Sequence, residues 1–234
     1  MKELISTPIF GILISLIAFQ IGCFINSKIK IALLNPLLIS IILVIGFLLK
    51  FNISLEDYNK GGSFISFLLG PATVVLAVPL YKKIDLLKKN FIPIIVGIIA
   101  GSTIGMISII LLCYLFNLDS SITLSLVPKS VTAPIGIEIA KQLGGMPPLA
   151  LAAIVPTGIL GAIISPWVLK IARINNKVAK GVSIGTSSHG IGTGKAIELG
   201  ETEGAMSGLS IGLAGLITVI LSPIIVKLLS FLIK

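Results

Sequence analysis

The chain has 234 residues, of which 55% are hydrophobic and only 12% charged, and its mean hydropathy is +1.11. A soluble domain carries roughly 25% charged residues, so a water-soluble fold is excluded and a membrane protein is expected. The net charge of +9 does not indicate nucleic acid, because the lysines gather in short connectors between oily runs, as in cytoplasmic loops.

Apolar runs at 8–25, 31–49, 91–116, 147–169 and 205–232 approach the ~20 residues needed to cross the hydrocarbon as a helix. No period-two alternation supports a transmembrane β-barrel. The first run is long for a signal peptide and no A-x-A site follows it, so it reads as a first span. Residues 50–62, KFNISLEDYNKGG, read as a polar connector. Three further passages, 63–81, 122–143 and 182–200, carry Pro or Gly with Ser or Thr near their middles and read as interrupted helices. The expected fold is an all-α polytopic bundle of about seven to eight membrane segments, forming one integral membrane domain over 1–234. Cys23 and Cys113 lie in apolar stretches and imply neither a disulfide framework nor a metal site.

Basic residues set the topology. Lys28 and Lys30 form one cluster, Lys82, Lys83, Lys88 and Lys89 a second, and Lys170, Arg173, Lys177 and Lys180 a third. All three fall on the cytoplasmic side if residue 1 starts outside and 122–143 dips into the membrane and returns. Such irregular backbone is tolerated where it is buried in protein or faces a water-filled cavity. On this reading 31–116 and 147–232 form two triplets of opposite direction, an inverted repeat of the kind found in secondary transporters.

The interrupted passages share one chemistry. Thr73 follows Pro71, Ser130 and Thr132 precede Pro134, and Ser187, Ser188 and Thr193 surround Gly190. Each pattern suits a helix that begins inside the bilayer, where unpaired N–H groups and a partial positive charge favour an anion. Lys129 and Lys195 add full charges near two of these starts. A charge at membrane depth costs ~2.5–3.5 kcal/mol, so function is the default reading, although Lys129 also has the length to snorkel to the surface. The candidate anion site is therefore Thr73, Lys129, Ser130, Thr132, Ser187, Ser188, His189, Gly190, Thr193 and Lys195. His189, the only histidine, is either a structural hydrogen-bonding group or a proton carrier. Glu138 and Glu198 are either proton or cation sites or solvated helix ends, and Glu201 and Glu203 read as a solvated loop. The glycines at 97, 101 and 105 and at 204, 208 and 212 read as helix-packing positions.

Soluble-enzyme motifs fail. A P-loop would need Gly at 189 and Ser or Thr at 196, where His189 and Ala196 stand. Adjacent Ser188 and His189 suit no hydrolase triad. No enzyme, cofactor or metal site is expected, zinc included, since one histidine and no cysteine cluster are present.

LGPATVVLAVPLYK at 69–82, LVPKSVTAPIGIEIA at 126–140 and SIGTSSHGIGTGKAIELGETEGAMSGLSIGLAG at 183–215 resemble the LrgB/CidB, antiholin-like membrane protein family. The family includes the YohK proteins and the plastid glycolate/glycerate translocator, and the likeness covers nearly the whole chain. It implies a multi-pass protein of the bacterial inner membrane. It implies two functions: control of murein hydrolase activity and lysis alongside a holin-like LrgA/CidA partner, and carriage of small 2-hydroxy- or 2-oxo-monocarboxylates such as glycolate, glycerate, lactate or pyruvate. Proton coupling and a homo-oligomer are further expectations. The long N-terminal region of the plastid form is not present.

Overall fold

The computed structural model describes residues 7–29, 36–68, 71, 81–82 and 84–233. They are helical throughout, with no strand among the described residues. Thr73 and most of the 68–83 passage lie outside the described residues. The chain divides into two compact units, 1–75 and 76–234.

The first unit contains α1 (Pro8–Ile29), α2 (Pro36–Lys50) and α3 (Leu55–Phe67). Helix α3 begins inside the stretch expected as a connector. Ser54 accepts the Asp57 N–H at 3.0 Å, and Glu56 and Asp57 occupy the first turn, where carboxylates complement the helix dipole. Helices α1 and α3 cross where glycine meets backbone: a Cβ on Gly11 would strike the Tyr58 carbonyl, and one on Gly61 the Pro8 carbonyl. Ser15 and Tyr58 join the same pair by a 2.9 Å hydroxyl contact.

The second unit contains α4 (Ile84–Lys89), α5 (Phe91–Leu115), α6 (Ser120–Leu126), α7 (Ala133–Leu143), α8 (Pro147–Ile171), α9 (Lys177–Leu199) and α10 (Glu201–Leu228). With α1, helices α5, α8 and α10 are long and apolar enough to cross a membrane. Their outward side chains are large and oily: Ile92 is 73% exposed, Trp167 67% and Leu216 64%. The buried faces of α5 and α10 include short hydroxyl side chains, Ser102, Ser207, Ser210, Thr218 and Ser222. This arrangement suits helices that pack in lipid through close backbone approach and short polar contacts.

Packing gives the direction of each helix. Ile94 and Ile98 near the start of α5 cluster with Ala205 and Met206 near the start of α10. Further along, Met106 and Ile110 cluster with Ile225. Helices α5 and α10 therefore run the same way. Helix α8 runs the opposite way: its late Leu169 clusters with Ile184, while its earlier Gly158 packs on His189. The end of the unit that carries Lys170, Arg173, Lys177 and Lys180 is thus the end at which α5 and α10 begin, and we call it the basic end.

Two segments between these helices fold back on themselves as hairpins. Between α6 and α7 the chain turns at 127–132, with Val127, Pro128, Ser130 and Val131 against Ser102, Gly105 and Met106 at the middle of α5. Helix α7 then returns alongside the first part of α8, where Gly136 packs on Ile154, and the Met146 N–H reaches Ser125 Oγ at 2.6 Å. Helices α6 and α7 thus form a hairpin whose two ends lie at the end of the unit opposite the basic one.

Helix α9 is broken at His189, whose backbone has φ 42° and ψ −140°. The break is a reversal. Gly192 lies against Ser188 and Ile184, although eight residues of continuous helix would separate 184 and 192 by ~12 Å. The entering arm, 177–188, runs parallel to α10, with Gly181 on Glu203 and Met206 and Gly185 on Ser207 and Ser210. The returning arm runs antiparallel to it, with Thr193 on Ser207 and Gly204 on Ile197. The second hairpin thus enters from the basic end and returns there.

Candidate functional site

The tips of the two hairpins meet a common cavity at the middle of the second unit. Its volume is about 780 Å³. One wall is the Gly97, Gly101 and Gly105 face of α5. The opposite wall is the entering arm of α9, including Val178, Val182, Ser183, Thr186 and Ser187. Lys129 and Ser130 on the first hairpin tip close the inner end, and Asn90 and Asn176 stand at the basic end. Without side chains on the glycines, the two walls come close enough for the Thr186 methyl to lie 3.2 Å from where a Gly101 Cβ would stand.

Among the described residues, Lys129 is the one charged residue on the cavity lining. Its Nζ lies 3.4 Å from Ser130 Oγ, and no carboxylate pairs with it among the described residues. Thr186 is 7% exposed and its Oγ1 has no hydrogen-bond partner among the described residues. A buried hydroxyl without a partner costs roughly 1–3 kcal/mol, and on the cavity wall Thr186 Oγ1 is free to bond a water or a ligand oxygen. Ser187 Oγ lies 2.9 Å from Ser188 Oγ, and Ser187 also borders a second cavity of about 470 Å³ between α8 and α9. The inner end of the main cavity thus offers one cation and several hydroxyls on an otherwise apolar wall.

The second tip is held from behind. His189 Nε2 lies 3.1 Å from the Ile154 carbonyl; a carbonyl only accepts, so Nε2 carries the proton and donates. Thr193 Oγ1 donates to the His189 carbonyl at 2.9 Å and lies 2.7 Å from Ser207 Oγ. These bonds join the tip to α8 and α10. They also hold a histidine in a backbone region that glycine favours, a conformation that persists only where its surroundings enforce it. Gly161 passes the Ser188 side chain where no Cβ would fit.

The remaining candidates lie elsewhere. Thr132 is the residue before α7 and half-buried, and its side chain caps no helix N–H. Gly190 is exposed at the start of the returning arm. Lys195 pairs with Glu198 at 2.7 Å on the outside of that arm and does not line the cavity. Glu138 is exposed and accepts from Gln142 Nε2 at 3.2 Å. Glu203, expected in a solvated loop, is instead 4% exposed. The glycine at 200 lets the chain turn so tightly that Glu203 folds over it, its Oε2 2.6 Å from a Cβ built there. Sequence reading also missed Thr186. Its signal, a threonine inside a run of small residues, is no different from ordinary helix packing.

Three helices long and apolar enough to cross a membrane, packed around two opposed hairpins, define this unit as part of a multi-pass membrane protein with an internal cavity tipped by Lys129. The chain belongs to the LrgB-like family, which residues 15–228 match. It is 37% identical to the "Antiholin-like protein LrgB" of Bacillus subtilis (strain 168), over 95% of this chain and 96% of the relative. It is 41% identical to the "Uncharacterized protein YwbG" of the same organism, over 82% and 86%, and 36% identical to the "Antiholin-like protein LrgB" of Bacillus cereus (strain B4264), over 93% and 95%. No solved structure matches.

Proposed function

We propose that this protein is an antiholin-like regulator of the bacterial inner membrane, restraining murein hydrolase activity and lysis together with a small holin-like LrgA/CidA-type partner. The observation that carries this reading is identity over nearly the full length to relatives so named. Its test is complementation. Expressed in a Bacillus subtilis strain lacking its own antiholin-like LrgB, the chain restores the parental rate of autolysis, and the holin-like partner co-purifies with it from mild detergent. Unchanged autolysis in a strain that makes the protein at normal levels refutes the reading.

A second reading is favoured by the cavity: the protein carries small 2-hydroxy- or 2-oxo-monocarboxylates. Lys129 at the inner end would balance one carboxylate, with Ser130, Thr186 and Ser187 near enough to serve its oxygens. A single cation suits a monoanion better than a dianion, whose second charge would remain unpaired in a low-dielectric site. The two readings are compatible, since carboxylate balance and lysis control can share one protein. Proteoliposomes loaded with the protein, with and without the holin-like partner, are assayed for uptake of labelled glycolate, lactate and pyruvate. Saturable uptake lost in Lys129→Met supports carriage. Absence of flux for all three acids removes it and leaves the regulatory reading standing.

A further inference from the structure

The second unit contains a constant spacing that hydropathy alone does not reveal. Helices α5 and α8, Phe91–Leu115 and Pro147–Ile171, begin and end 56 residues apart. At the same spacing both are followed by a residue in the left-handed region, Asn117 with φ 51° and Arg173 with φ 54°. The same backbone bond closes each turn: Leu118 N–H to the Cys113 carbonyl at 3.0 Å, and Ile174 N–H to the Leu169 carbonyl at 2.9 Å. Both hairpins end on a glycine at this spacing, Gly144 in the left-handed region and Gly200 in a nearly extended one. Inside the hairpins, a Cβ on Gly136 would lie 3.2 Å from the Pro128 carbonyl and one on Gly192 3.4 Å from the Ile184 carbonyl, again equivalent atoms. Ile98 and Ile154, Gly105 and Gly161, Ile135 and Ile191, and Ala140 and Ala196 are identical pairs in this register.

We infer that residues 91–144 and 147–200 are two copies of one span-plus-hairpin unit inserted in opposite directions, and that the cavity has a second form that opens at the end opposite the basic one. The opposite course of α5 and α8 supplies the inversion. Relative to the 31–116 and 147–232 triplets expected from hydropathy, the boundaries move, because hydropathy counts crossings and α9 does not cross.

The two copies are related in position but not in environment. Ala179 in the second hairpin is exposed and lines the cavity, whereas its equivalent, Thr123, is 2% exposed. Ser183 is exposed on the cavity wall, and its equivalent, Val127, is 3% exposed. One copy is therefore parted from its neighbours and the other is sealed. Exchanging the two environments seals the basic end and opens the far end between α6 and α8, which is how inverted repeats alternate access around a fixed site. Ser130 and Thr186 are equivalents of each other, and both already line the present cavity. The exchange returns this hydroxyl pair to the same place, so it is the seat common to both forms.

The inference rests on the carrier reading only for what passes through; the exchange itself is read without flux. Cys23 and Cys113 are the native thiols and are replaced by serine. Single cysteines Ala179→Cys and Thr123→Cys are then labelled with a membrane-impermeant maleimide in vesicles of known orientation. Ala179→Cys reacts from the basic end. Thr123→Cys reacts from the opposite end, about ten to a thousand times more slowly, because a minor conformer is populated at roughly 0.1–10%. The pair Ser183→Cys and Val127→Cys repeats the measurement in case one variant does not fold. Reaction of Thr123→Cys and Val127→Cys from the basic end, or from neither end while their equivalents label, overturns the inference. Far-end labelling without uptake of glycolate, lactate or pyruvate retires the carrier reading and keeps the exchange; uptake without far-end labelling does the reverse.

Discussion

A methyl group added at Gly158 tests how the second hairpin tip is held. A Cβ there would lie 2.6 Å from His189 Cε1, 2.8 Å from its Nε2 and 2.9 Å from the Ile191 Cβ. The imidazole cannot swing away without giving up its bond to the Ile154 carbonyl, and its backbone is fixed by the reversal. Overpacking of this kind costs about 1–3 kcal/mol. For a chain of this size each kcal/mol moves the melting temperature by roughly 2–4 °C. Gly158→Ala should therefore melt about 2–12 °C below the parent when unfolding is followed by circular dichroism in detergent micelles. Gly194→Ala is the control: its Cβ would meet nothing within 4 Å, and alanine is favoured over glycine in a helix by about 1 kcal/mol, so it melts at or above the parent temperature. If the clash is with the ring, Gly158→Ala combined with His189→Gly costs less than the separate effects added together, since contacting residues couple by about 0.5–3 kcal/mol. A Gly158→Ala protein that melts with the parent would show that the tip does not rest on α8 as described.

Thr193→Val keeps the shape of the side chain but removes the bonds to the His189 carbonyl and Ser207 Oγ, leaving a buried hydroxyl unpaired, and should cost about 1–3 kcal/mol by the same melting assay. Ser125→Ala strands the Met146 N–H at the end of the first hairpin and should cost a similar ~1–3 kcal/mol, with faster amide exchange at 144–147 as the local signature. Lys129→Met should weaken protection of Ser187→Cys by millimolar glycolate at least about tenfold, corresponding to the loss of one charge-assisted hydrogen bond of about 1.5–3 kcal/mol; undiminished protection would remove Lys129 from the site. Cysteines placed at Gln142 and Asn176 should be labelled from opposite sides of the membrane, because the two hairpins enter from opposite ends.

The crossing helices were readable because α5, α8 and α10 are long oily runs, and length against bilayer thickness decides them. The break within 122–143 was readable from Ser130, Thr132 and Pro134, which end one helix and start the next at 127–132. The polar passage around His189 was readable as an interruption, since Gly, Ser and Thr in number do not continue an oily helix. Its reversal was not readable. A histidine visits positive φ more often than most residues but does not specify it, and the enforcing contacts come from Gly158, Gly161 and Ser207, which lie tens of residues away or on a later helix. Lys195 looked like a second site cation because it is close to His189 in sequence, but the reversal turns it outward to Glu198. Glu203 looked solvated because glutamates usually are; a glycine at 200 with room for a folded-back carboxylate has no sequence signature of its own. Thr186 carries the same difficulty, as an unpaired hydroxyl is a property of its surroundings alone.

The reversal at His189 also bears on how the chain is made. The tip leans on α8, which is synthesised before it, but both of its arms pack on α10, which is synthesised after it. With Lys195, Glu198 and a run of serines, threonines and glycines, 177–199 has little to gain from leaving the translocon for lipid. It can settle only when the following helix arrives to cover Thr193 and Gly185. Folding of this half of the protein is therefore expected to wait on α10, and a chain stopped soon after Gly200 would hold an unsheltered polar loop.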